Sequence, residues 1–165
     1  MLALEEMRGF LDEKVVLYNN PRFIELDPIQ IPHMYTAKED VEIAGFLCAT
    51  ISWGNRKAII RGARTMMELM GNAPYDFIMS HDESQLDRLG AYVYRTFNGT
   101  DLTFFITSLR HIYSEKGGLE GIFNTYQGED SLQDAIHHLK RIFFSIDHPS
   151  RTRKHLSDPH GGSAA

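Results

Sequence analysis

The segment Glu39–Ser52, "EDVEIAGFLCATIS", constrains this chain more than any other, because after its first turn it is apolar on every side. A helix without a polar face has to be surrounded, so the segment predicts a central, buried helix around which the rest must pack. Thr36 and Glu39 stand at capping-box spacing before it, which predicts that the hydroxyl and the carboxylate satisfy its first amides. The run breaks at "SWGN", where the only Trp of the chain sits.

Helical periodicity continues on both sides. Leu4, Met7, Leu11 and Val15 share one face and predict a first helix ending near Tyr18. Residues 18–36 carry three prolines and read as an irregular apolar connection rather than a regular helix. From Asn55 to Met70, Ile59, Ala63, Met66 and Met70 form an apolar stripe opposite Lys57, Arg61 and Arg64, with Gly71 and Asn72 ending the helix. "PYDFIMS" and "DESQLDRL" read as short helices. "YVYRTFNGT" carries an Asn-Gly turn signal but no neighbouring partner strand, so it reads as a short helix and a loop. Leu102, Phe105, Ile106, Leu109 and Ile112 predict a strong helix closed by Gly117-Gly118, and "LEGIFNTY" adds a turn or two. Ser131 is placed to cap a last helix carrying Leu132, Ala135, Ile136, Leu139 and Phe143, with Glu129 and Asp130 at its positive end. The class is all-α, in a single domain over residues 1–165. The stretch 148–165 reads as a basic tail or the start of an interrupted hairpin.

Totals exclude several classes. The formal net charge of −5 gives no global attraction to nucleic acid, so any such argument is local. Lone Cys48 lies in the apolar run and predicts a small core residue in a reduced, cytoplasmic setting. No apolar run is long enough to cross a membrane. His137 and His138 are adjacent and point about 100° apart on a helix. His111 and Glu115 alone make no metal site, and neither HExxH nor GxxxxGK spacing occurs. No metal or cofactor is expected. Asp27 and Asp147 are conceivable acid–base groups but stand where turns commonly place Asp.

Two cationic clusters remain. Arg56, Lys57, Arg61 and Arg64 give +4 with no acid between Gly54 and Arg64, and Lys140, Arg141, Arg151, Arg153 and Lys154 form the second. Each is either a solvated face or a phosphate-neutralising surface. Trp53 and Asn55 between them either enter a gap left by a displaced base or anchor two helices in the core.

The segment "EIAGFLCATISWGNRKAIIRGARTMMEL" resembles the early core of the helix-hairpin-helix DNA glycosylase superfamily, the endonuclease-III-like group. "YVYRTFNGTDLTFFITSLRHIYSEKGG" is similar to its tight turn and long helix. The chain as a whole resembles an uncharacterised bacterial family, itself similar to those enzymes, through "LDPIQIPHMYTAKEDVEIAGFLCATISWGNRK", "RTFNGTDL" and "SDPHGGSAA". The resemblance implies a helical domain that binds duplex or damaged DNA. It places Trp53 or Asn55 beside the displaced base, and Arg56, Lys57, Arg61 and Arg153 at phosphates. Gly161 and Gly162 would stand at the start of the hairpin. The catalytic Lys and Asp of such enzymes would lie beyond Ala165, so this stretch alone is expected to lack glycosylase or lyase activity. Where relatives carry Gln or Gln-Thr, this chain has Ala49, Thr50, Ile51 and Ser52, and it has no four-Cys iron–sulfur loop. The alternatives are a non-enzymatic helical module that binds a protein partner and a divergent hydrolase.

Overall fold

The computed structural model describes residues 4–126 and 132–161, and within them the chain is all-α apart from one two-stranded hairpin. Helix α1 (Leu4–Tyr18) has the extent that the periodicity indicated, yet none of its residues is buried. The connection that follows is more regular than expected. Pro21 opens a short α-helix, α2 (Pro21–Leu26), and Pro28 and Pro32 open the 3-10 turns Pro28–Gln30 and Pro32–Met34. The prolines start these turns rather than break them, because the first helical residue has no amide to lose and its φ is already set. Asn20 and Asp27 cap the first two by accepting from the amides of Arg22 and Ile29, both at 3.1 Å.

Helix α3 (Lys38–Thr50) is the central element, with Ile43, Ala44, Leu47 and Cys48 buried. Its expected capping box does not form. The cap residue is Ala37, with no side-chain bond, which leaves Thr36 one position too early to reach the helix amides. Burial pushes the Cys48 thiol up to about 11, so it is an inert core group whose Sγ lies 3.4 Å from the Pro28 carbonyl. Helix α4 (Arg56–Leu69) packs on α3 and buries Ile59, Ala63, Met66 and Met67. Helices α5 (Pro74–Ser80) and α6 (Glu83–Leu89) follow. Asp40 on α3 caps α5 from a distance, accepting from the Tyr75 amide at 2.9 Å.

"YVYRTFNGT" is corrected by the structure: β1 (Val93–Tyr94) and β2 (Phe97–Asn98) pair antiparallel, Val93 with Asn98 and Tyr94 with Phe97. The partner strand lies inside the same nonapeptide, so a search for a second apolar run misses it. The turn is Arg95-Thr96, not Asn98-Gly99. Asn98 instead caps helix α7 (Gly99–Glu115) in a reciprocal box with Asp101. A Cβ on Gly99 would come within 2.4 Å of the Gly90 carbonyl oxygen, so glycine is what lets α7 start against the end of α6.

Helix α7 buries Leu102, Phe105, Ile106, Leu109 and Ile112, as its spacing required. Helices α8 (Gly118–Thr125) and α9 (Leu132–Phe143) pack against it and each other. The capping expected of Ser131, Glu129 and Asp130 lies outside the described residues. Phe105 sits edge-on between Phe97 (5.2 Å) and Phe143 (4.8 Å), an aromatic junction that ties β2 and α9 to α7. The buried Ser108 hydroxyl donates to the Phe143 carbonyl at 2.6 Å, satisfying an acceptor that the end of α9 leaves open.

The C-terminal stretch is not a frayed tail up to Gly161. The 3-10 turn Ser150–His155 packs on α7 with Thr152 fully buried, and Pro159–Gly161 packs on α9. Among the described residues no helix is long and apolar enough to cross a membrane.

Candidate nucleic-acid interface

The end of α3, the following corner and the Ser150–His155 turn enclose a cleft of about 630 Å³. Phe46, Ala49, Thr50, Ser52 and Trp53 form one wall, Lys154, His155, Leu156 and Ser157 the other, with Thr96 and Ile136 between. Among the described residues no carboxylate lines it. In a chain of net charge −5, the one cation of this lining is Lys154 of the second basic cluster, while Arg56 of the first lies in a separate groove beside Asp27.

The corner is built by aromatic clamping. Trp53 is 37% exposed and stands edge-on to Tyr94 at 5.7 Å, while the Tyr94 hydroxyl donates to the Trp53 carbonyl at 2.9 Å. The Arg95 guanidinium covers the Trp53 ring at 5.1 Å and lies against Gly54. Gly54 has φ +109°, and a Cβ there would meet Arg95 Nη2 at 2.7 Å, so both backbone and neighbour demand glycine. Trp53 is thus neither a core anchor nor a free side chain: Tyr94 and Arg95 hold it, and part of it lines the cleft.

The other expected residues separate into groups. Asn55 caps α4, accepting from the Ala58 amide at 3.2 Å. Arg56 is partnered by a residue distant in sequence, with its Nε 3.8 Å from Asp27 Oδ2 and its guanidinium 5.8 Å from the Phe23 ring centre. The stripe therefore does have an acid beside it in space. Lys57 and Arg61 are exposed, and Arg64 donates to Gln30 at 2.6 Å. Arg153 lies over the Phe144 ring at 5.1 Å. Lys140 is mostly buried, 3.9 Å from Asp158, and burial holds its pKa below the usual lysine range. Gly161 ends the turn packed on α9 and is not among the residues lining the cleft. Gly162 lies outside the described residues.

What positions the second wall is a group the sequence reading did not single out. Asp101 is fully buried; its Oδ2 accepts from the Asn98 amide at 2.9 Å and forms an ion pair with Arg151 Nη2 at 3.1 Å. His155 Nε2 lies 3.4 Å from the same oxygen, close but without hydrogen-bond geometry, and Oδ1 has no partner among the described residues. Arg151 also donates to the Thr96 carbonyl at 2.9 Å, which ties the hairpin to the C-terminal segment. Burial is the largest influence on His155 and holds its pKa below the ordinary value, against the pull of Asp101. One signal in the sequence did point here, since Asn98 and Asp101 stand at capping-box spacing.

On α9, His137 meets Asp158 at 2.9 Å and His160 meets Asp134 at 2.7 Å, so the histidines stitch the last turn to the helix. Among the described residues no group of three His, Cys, Asp or Glu is placed to hold a metal ion.

Residues 27–165 match the family described as "Protein of unknown function (DUF2400)". The chain belongs to that family. The DUF2400 match begins at Asp27, after α1 and α2, and includes the corner, the hairpin and the C-terminal wall. No curated protein and no solved structure matches the chain.

Proposed function

We propose that this DUF2400 chain binds duplex or damaged DNA through the face around the Trp53 corner, as part of a base-excision type of protein related to the DNA glycosylases. The observation that carries the reading is the cleft shared by Trp53 and Lys154, residues about a hundred positions apart in sequence, with no carboxylate among its described lining residues. Lys57 and Arg61 extend positive charge along α4 on exposed positions. An aromatic ring at a concave, cationic surface suits a nucleic acid, where phosphates supply affinity and stacking supplies a local preference. The test is filter binding or anisotropy with an abasic-site duplex across a salt series. Reversing Lys57 and Arg61 to Glu together should weaken binding and lower the slope of log affinity against log salt by about two, one contact each. An unchanged slope removes α4 from the interface.

A second reading, a module that binds a protein partner, draws on α1. Leu4 is 87% and Val16 79% exposed, an apolar load that ordinary surface helices do not carry. Absence of DNA binding at low salt, with α1 peptides or truncations altering capture of a partner, would favour it.

A further inference from the structure

The hairpin turn carries an anomaly. Arg95 has φ +53°, in the left-handed region where a side chain other than Gly, Asn or Asp is uncommon. Two-residue hairpin turns draw on Asn and Gly for this reason. A long, charged, exposed residue at such a position costs backbone strain, and strain of this kind concentrates where a side chain is needed for a task. The task is not an ion pair, since no carboxylate within the described residues forms one with Arg95. Its guanidinium lies over the Trp53 ring, 5.1 Å from the ring centre, and the residue is exposed to solvent. The base beneath it is rigid: Tyr94 holds the corner through the Trp53 carbonyl, and Arg151 holds the turn through the Thr96 carbonyl.

We infer that Arg95 is a phosphate-binding residue of this face, stacked on Trp53 so that its N–H edge meets a nucleic-acid phosphodiester at the mouth of the cleft. This rests on the DNA-binding reading above. The Arg95 Nη2 and Nε lie beside Gly54, which has no side chain to cover them, and no hydrogen bond among the described residues uses the guanidinium donors, so a planar fork remains for two-point contact with a phosphate. Because the left-handed turn is fixed by Arg151 and the strand pairing, the guanidinium is held in place before any ligand arrives, which limits the ordering cost of binding.

The test compares wild type, Arg95→Asn and Arg95→Lys with a fluorescein-labelled abasic-site duplex over a salt series, and reads Tm for each. Asn suits the left-handed turn, so R95N should keep or raise Tm while weakening binding about tenfold and lowering the salt slope by about one. R95K should keep the slope and lose part of the affinity, since charge remains and the fork does not. If R95N binds as wild type does, with the same slope, while the Lys57/Arg61 reversal weakens binding, the inference is overturned and the DNA reading stands. If wild type itself fails to bind at low salt, both fall. A marked drop in the Tm of R95N would assign Arg95 a structural role and also overturn the inference.

Discussion

The two ends of the described chain reverse their expected roles. Helix α1 has the apolar stripe of a packed helix and buries nothing, whereas Ser150–Gly161 is polar, basic and rich in turn residues, and is docked on α7 and α9 with Thr152 buried. The difference lies in where the partners are. A stripe such as Leu4, Met7, Leu11 and Val15 declares that a face exists, but burial requires a second surface, and none of the described residues supplies one. The C-terminal segment needs little apolar area because α7 offers a buried carboxylate. Asp101 pairs with Arg151 directly and holds His155 close, and Thr152 is fully buried.

The largest effect that would test this contrast is at Asp101. Asp101→Asn removes the charge that Arg151 and the Asn98 amide both use. Since Arg151 is 41% exposed, the loss is expected at about 2 kcal/mol rather than the full value for a buried pair, or roughly 4–8 °C in Tm. Thermal unfolding followed by circular dichroism measures it, and a loss below about 0.5 kcal/mol would mean that the segment is held by packing alone.

A pH experiment sharpens the same point. His155 has a folded-state pKa below its ordinary value, mainly through burial, so the unfolded chain takes up a proton more readily than the folded one. Stability is therefore present above the unfolded pKa of about 6.5 and declines as pH falls below it. The groups that face His155 include Asp101, Lys154 and Arg151. Urea midpoints at pH 7 and pH 5 should converge for His155→Gln relative to wild type. An equal decline in both would place the acid sensitivity elsewhere.

At the other end, the expected effect is smallest. Leu11→Ser on α1, where Leu11 is 53% exposed, should alter stability by less than about 0.5 kcal/mol, read by urea unfolding. A loss typical of a buried leucine, about 2–5 kcal/mol, would show that α1 is covered in solution and cancel the contrast.

These regions also mark what the sequence can disclose. Local periodicity is enough to locate α4 and α7, because their buried stripes recur within one element and are closed by glycines. It fails at Thr36, where a cap differs from a near-cap by one residue, and at the hairpin, where two-residue strands are too short to show alternation. The candidate site was legible as a cationic corner with an aromatic at its centre. Its far wall was not, since a link from Asp101 to Arg151 spans fifty residues and leaves no periodic trace. Nor was Arg95, whose significance depends on a backbone angle and on lying over Trp53.

Trp53 is the only tryptophan in the chain, so its fluorescence reports on the corner without a label. Titrating an abasic-site duplex into the protein at low salt should change Trp53 emission in a saturable way, reversed by added salt, over the same concentrations at which the labelled duplex shows binding. DNA binding with Trp53 emission unchanged would put the interface elsewhere on the molecule and contradict the account.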